Sequence, residues 1–80
     1  MPGAARIDYH QLVSDELQCM NDAINEQRRA YYAFLHVAQT FDWEAAGACQ
    51  LQASASGDAA MDAFMRACRA MQEGARGEAG

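Results

Sequence analysis

One long helical stretch, residues 17–42, constrains the fold of this chain more than any other feature. Its apolar residues, with Val13 just before it, recur mostly in steps of three and four along one helical face. They are Val13, Leu17, Met20, Ile24, Tyr31, Leu35, Ala38 and Phe41. The pattern predicts a helix over about 9–41 that begins at a cap on either Asp8 or Ser14. Gln27 is the exception, because it stands on this stripe where an apolar side chain is expected.

A second, weaker helix is predicted over about 48–73, after a break at Asp42 that suits a helix N-cap. Its expected core face consists of Leu51, Ala55, Asp58, Met61 or Asp62, Met65, and Cys68 or Arg69. Glycines at 74, 77 and 80 predict a flexible tail over 74–80. Proline occurs only at Pro2, which favours helix throughout. The predicted fold is therefore all-α, an antiparallel two-helix hairpin in a single domain of residues 1–80.

A hairpin of two helices does not close a core and leaves much of its apolar surface uncovered. We therefore expect the chain to pair with a second copy of itself or with another helical subunit, completing a four-helix bundle. Three neighbouring aromatic residues, Tyr31, Tyr32 and Phe34, cannot all lie on one face of a helix. This aromatic patch is the predicted interaction surface.

Composition and motifs argue against several classes of function. A net charge of −5, without clustered lysine and arginine, disfavours nucleic-acid binding. The sequence contains no apolar run of about 20 residues and no secretory signal, so we expect a cytoplasmic protein without a membrane partner. The three cysteines lack C-x-x-C spacing and are predicted to be reduced and buried. No phosphate-binding loop, nucleophile elbow or Cys–His pair points to an enzyme.

Two carboxylates one helical turn apart, Asp58 and Asp62, are the candidate metal ligands. Such a pair binds a hard or borderline cation when a facing helix supplies further ligands. Gln27 could face them across the hairpin as a weak amide ligand. The alternatives are an exposed acidic pair on an acidic protein and a core amide that bonds to a backbone or neighbouring group.

Several motifs of the chain resemble the opening of the animal ferritin subunit. The similar segments are Arg6-x-x-Tyr9-His10, Asn21-x-x-Ile24-Asn25, Ala30-Tyr31-Tyr32-x-x-Leu35 and Phe41-Asp42, with a weaker likeness in Met71-Gln72 and Arg76-Gly77. The resemblance covers nearly the whole chain but only the first two helices of a ferritin. It implies a ferritin-like half bundle that lacks the second pair of long helices.

The resemblance also implies that the iron site of the family is largely replaced. The bridging glutamate of the first helix falls on Gln27, the Glu-x-x-His of the second falls on Asp62 and Met65, and the adjacent tyrosine falls on Phe34. This implies a structural or partner-binding subunit without ferroxidase activity and without a resident cofactor, whose partners are a second copy or ferritin-like subunits.

Two other readings stay open. The first is an iron-binding, iron-storage protein in which Asp58 and Asp62 of two copies form a carboxylate site at a dimer interface. The second is a plain hairpin, with a coincidental resemblance, that binds a partner helix through the aromatic patch.

Overall fold

The computed structural model describes residues 7–79, so Arg6 of the lead-in motif and Gly80 of the predicted tail lie outside the described residues. Two helices, α1 (Tyr9–Ala38) and α2 (Trp43–Ala79), form nearly all of this part of the chain. Residues 39–42 connect them. No helix within residues 7–79 combines the length and apolarity that crossing a bilayer requires.

The two helices pack against each other as an antiparallel hairpin, which confirms the predicted all-α fold. Glu16 near the start of α1 hydrogen-bonds Arg66 near the end of α2, and Gln27 reaches Ala53. The hairpin measures 64 × 20 × 14 Å, with a radius of gyration of 18.4 Å. A compact chain of this length has a radius of gyration of about 12 Å. The hairpin is therefore a long slab with two broad sides.

Helix α1 begins at Asp8, one of the two predicted caps. The Asp8 carboxylate accepts a hydrogen bond from the Gln11 backbone N–H at 3.0 Å, which satisfies one of the unpaired donors of the first turn. The Gln11 side chain does not complete a reciprocal capping box, because it donates to Asp15 at 2.8 Å instead.

The connection between the helices is built on Phe41 and Asp42. Phe41 has a φ of 56°, in the left-handed region, so α1 ends at Ala38 rather than at the predicted Phe41. A bulky residue in this conformation costs roughly 1–2 kcal/mol. Asp42 then caps α2 as predicted, accepting from the Ala45 backbone N–H at 3.1 Å.

Helix α2 is longer at both ends than predicted. It begins at Trp43, directly after the cap, and continues through Gly74 to Ala79, so the prediction of a flexible tail is wrong for residues 74–79. Gly74 is buried against α1, and a Cβ added there would lie 2.9 Å from the Cβ of Tyr9. The glycine is therefore a point of close helix–helix approach, not a helix terminator.

Residues at alternating steps of three and four line the contact between the helices, which we call the seam. On α1 the seam consists of Tyr9, Val13, Glu16, Met20, Ala23, Gln27, Ala30, Phe34 and Val37. On α2 it consists only of small residues: Ala46, Cys49, Ala53, Ser56, Ala60, Ala63, Ala67, Ala70 and Gly74. The buried apolar residues of the described chain are all alanines on this seam, and Ala63 has no exposed surface.

The predicted core face of α2 is wrong. Leu51 is 74% exposed, and Asp58, Asp62 and Met65 are exposed as well. The predicted α1 stripe is also wrong in part, since Val13 and Met20 lie half-buried on the seam while Leu17, Ile24, Tyr31, Leu35, Ala38 and Phe41 are exposed. The physical reason is that small residues let two helices approach closely. The large side chains of α2 therefore remain exposed on the outside of the hairpin.

Candidate functional site

The exposed large apolar residues beside the seam lie mostly on one broad side of the hairpin, whereas Leu12 lies on the other side and Tyr32, Leu51 and Met65 point away from the seam. In a seven-residue repeat, two positions on one side of the seam point away from the partner helix and toward the same flank. The large or apolar residues at these positions are Leu17, Ile24, Tyr31 and Leu35 on α1 and Met61, Phe64, Cys68 and Met71 on α2, and the polar residues Ser14, Asn21 and Arg28 lie between those of α1. We call this side the apolar flank. Each of these side chains is exposed, including Phe64 at 49%.

Two grooves show that these residues of α1 and α2 share a side. The larger, of about 590 Å³, lies toward the connection and is lined by Gln27, Tyr31, Phe34, Cys49, Gln50, Ala53 and Ser54. The smaller, of about 300 Å³, lies toward the open end and includes His10 and Met71. Along the apolar flank, α2 therefore changes from small or polar residues beside Tyr31 to large residues between Met61 and Met71.

The opposite side of the hairpin is polar. Its centre is an ion pair between the helices, in which the Arg66 Nε lies 2.9 Å from both carboxylate oxygens of Glu16. This hydrogen bond is the main cause that raises the pKa of Arg66 above its ordinary value. The guanidinium also lies 3.8 Å from the Cys19 thiol. Arg69 and Glu73 line the same side. On this polar flank, the charges of Glu16 and Arg66 therefore pair with each other within the hairpin.

Gln27 is a half-buried residue of the seam, and its side-chain amide hydrogen-bonds to a backbone carbonyl of α2. Its Nε2 donates to the Ala53 carbonyl at 3.3 Å and lies 3.5 Å from the Tyr31 hydroxyl. A Cβ on Gly57 would lie 2.5 Å from the same nitrogen, so this glycine leaves room for the amide. The structure thus gives Gln27 the bonded amide role that was one of its two predicted readings.

Asp58 and Asp62 are exposed on α2, one turn apart, as the spacing predicts. By the repeat, Asp58 points away from the seam and Asp62 points toward the polar flank, whereas Gln27 bonds to Ala53. Within residues 7–79, no group of three or more histidine, cysteine or acidic side chains is placed to hold a metal ion.

The aromatic patch is divided by the structure. Tyr31 and Phe34 line the larger groove together with Gln27, while Tyr32, 65% exposed, is absent from that lining. The cysteines are unbridged, as predicted, but Cys19 and Cys68 are exposed and Cys49 is half-buried. The prediction that the cysteines are buried is wrong because Cys19 and Cys68 lie beside the seam rather than on it.

Sequence reasoning missed most of the apolar flank and the residues that organise it. Met61, Phe64 and Met71 were assigned to the core or left unassigned, and the partners of Gln27 were not identified. The usable signal was the unbroken repeat of small residues from Ala46 to Gly74, which marks the true seam of α2.

A comparison with protein-family models, with curated proteins and with solved structures finds no match.

Proposed function

We propose that the chain is a ferritin-like helical subunit without ferroxidase activity, which acts by association with another helical chain through its apolar flank. The observation that supports this most is the concentration of large apolar side chains beside the seam on one broad side of the hairpin. Isolated exposed apolar residues are ordinary on a protein surface, but apolar residues that cluster across two helices mark an interaction site.

The total exposed surface supports the same proposal. The chain exposes 6264 Å². A compact monomer of 8.7 kDa exposes about 4,700 Å², so the hairpin exposes roughly 1,500 Å² more than its mass requires. Its buried apolar side chains are alanines, each of which contributes only about 0.8 kcal/mol per methyl group. Covering the apolar flank would supply the burial that the hairpin lacks.

The absence of ferroxidase activity is proposed from the chemistry of the residues present. Oxidation of iron at a two-metal site needs several carboxylates and a histidine around the metals. The amide of Gln27 donates to a backbone carbonyl, which leaves its oxygen as a neutral and weak ligand. Ferrous iron oxidation by the purified chain at a rate typical of ferritins would contradict this part of the proposal.

The iron-binding alternative remains a separate prediction. It requires Asp58 and Asp62 of two copies to meet, and the geometry of the repeat places both outside the apolar flank. Association through the apolar flank and an iron site at these carboxylates therefore call for different interfaces. The experiment below distinguishes them, because each interface responds to its own substitutions.

The test compares the purified chain with two variants by sedimentation velocity and far-ultraviolet circular dichroism. Phe64→Glu places a charge on the apolar flank, and Leu51→Glu places one on the more exposed outer face of the same helix. We expect the parent and Leu51→Glu to form helical assemblies at about 10 µM, a concentration at which specific interfaces hold. Phe64→Glu should dissociate and lose helicity. A parent chain that is fully helical and monomeric would refute the proposed function.

A further inference from the structure

We propose that the partner on the apolar flank is a second copy of this chain, related by a two-fold axis that passes beside Ile24. This inference rests on the proposed function and specifies its partner and geometry. It predicts that α1 packs antiparallel on α1 of the other copy, and α2 on α2, so that two hairpins form one four-helix bundle.

The contacts between α1 and α2 show which residues of the two helices lie at the same height along the hairpin, and this gives the point at which the axis crosses α2. Gln27 of α1 lies beside Gly57 of α2, and Glu16 lies beside Arg66. Ile24 therefore lies level with about residues 58–60 of α2. This level divides the flank of α2 into two halves. The half toward the connection has small or polar residues after Trp43, and the half toward the open end has the large residues from Met61 to Met71.

A two-fold axis at this level pairs every large residue of the α2 flank with a small or polar one. The flank positions before the axis hold Trp43, Gly47, Gln50, Ser54 and Gly57, and those after it hold Met61, Phe64, Cys68, Met71 and Ala75. Trp43, at the start of α2, falls on Ala75 of the second copy. Rotation places Met61 on Gly57, Phe64 on Ser54, Cys68 on Gln50 and Met71 on Gly47 of the second copy. The groove beside Tyr31 is where Phe64 of the second copy would insert.

The flank of α1 behaves differently, because its large residues meet each other near the axis. Ile24 meets its own copy on the axis, and Leu17 meets Tyr31. Further out, Leu35 falls on Ser14. A surface that docks on its own copy must be complementary to itself. The α2 flank meets this condition because each of its large residues faces a small or polar one at the symmetric position. A flank with large residues along its entire length would instead need a different protein whose small residues lie opposite them.

The distribution of charge permits two acidic chains to meet here. The chain has eleven aspartates and glutamates and a net charge of −5, so most contacts between copies would be repulsive. None of these carboxylates occupies a flank position between His10 and Ala75. The one strongly charged flank residue, Arg28, falls beside Asn21 of the second copy, whose amide oxygen can accept its hydrogen bonds.

The available area is sufficient for a stable dimer. The broad side of the slab measures 64 × 20 Å, and an interface of standard size buries about 800 Å² on each partner. The excess exposed surface of the hairpin is larger than this area. A flank-to-flank dimer therefore brings the exposed surface of each chain toward the value for a compact protein.

Disulfide cross-linking in solution tests the axis. The three native cysteines are replaced by alanine, and Ile24→Cys or Gln18→Cys is added; position 24 lies on the axis and position 18 on the outer face of α1. Two cysteines bridge only when their Cα atoms lie within about 7 Å, so only a residue near the axis can react with its own copy. We expect most of the Ile24→Cys chains to become covalent dimers on mild oxidation, with little dimer from Gln18→Cys. Leu17→Cys and Tyr31→Cys should cross-link efficiently only when the two variants are mixed.

Sedimentation of the unmodified chain provides the second readout. A mass of two chains together with cross-linking at position 24 supports the inference. An assembly in which position 24 reacts no better than position 18 overturns the two-fold arrangement while leaving association through the flank intact. A monomer at about 100 µM, well above the Kd of a specific interface, overturns the homodimer. If that monomer is also fully helical, the proposed function fails with it.

Discussion

Replacing Gln27 with glutamate should destabilise the hairpin at neutral pH, although the two side chains have nearly the same shape. The amide Nε2 now donates to the Ala53 carbonyl at 3.3 Å from a half-buried position on the seam. The variant Gln27→Glu replaces this donor with an oxygen that faces another oxygen. Loss of the hydrogen bond costs about 1 kcal/mol, and leaving an ionised group poorly solvated adds roughly 1 kcal/mol more. We expect a loss of about 2 kcal/mol in the free energy of unfolding.

The loss should depend on pH, and its sign follows from the pKa of the introduced carboxyl group. Partial burial and the Ala53 carbonyl disfavour the charged form, so the folded-state pKa should lie above the ordinary value of about 4.3. Below the unfolded-state value the group is protonated, its O–H can donate to Ala53, and the variant should approach the parent in stability. This recovered stability is lost as pH rises through the higher folded-state pKa.

Urea unfolding followed by circular dichroism at pH 7 and pH 4, at one fixed protein concentration, measures both effects. Gln27→Met is the matched control, since it removes the donor without adding charge and should lose less than about 1 kcal/mol at either pH. The reasoning fails if Gln27→Glu equals the parent at pH 7. It also fails if the deficit relative to Gln27→Met is the same at both pH values.

Three further predictions concern other residues. Gly74→Ala should lower the free energy of unfolding by about 1–2 kcal/mol, because the new Cβ would lie 2.9 Å from that of Tyr9. Urea titration measures this loss, and a gain in stability would show that the helices separate without cost. Phe41→Gly should raise the midpoint of thermal unfolding by a few degrees, because glycine adopts a φ of 56° without the backbone strain that the exposed phenylalanine carries there. An unchanged or lower midpoint would contradict this. Native mass spectrometry after addition of ferrous iron should show no stoichiometric metal on the chain. Bound iron that is lost in the double variant Asp58→Asn/Asp62→Asn would instead establish the iron-binding alternative.

The parts of the fold that could be predicted are those governed by local chemistry. The carboxylates of Asp8 and Asp42 mark helix starts because each can bond a backbone N–H three residues later. Gln27 was identified as exceptional because a polar residue interrupts an apolar stripe. In contrast, Gly74 suggested a helix end by its identity alone, and only its position against Tyr9 shows that it allows close packing.

The candidate site was harder to predict because burial does not follow from residue type in a chain with only two helices. Large residues such as Phe64 are expected in a core, but a pair of helices has no third surface to enclose them. Uncovered apolar surface could therefore be anticipated as a necessity of the hairpin, and the aromatic patch was predicted for this reason, but the location and the members of the proposed interaction surface could not.

The sequence by itself determined that the chain is helical, that α1 begins at one of two caps, where the chain reverses, and that a hairpin of this kind leaves apolar surface uncovered. These properties depend on interactions within a few residues and on the total supply of apolar side chains. Only the tertiary structure decided which face of α2 meets α1. The face of α2 that meets α1 is the stripe of small residues from Ala46 to Gly74, because it allows the shortest distance between the two helix backbones. In this orientation Met61 and Phe64 point outward onto the apolar flank.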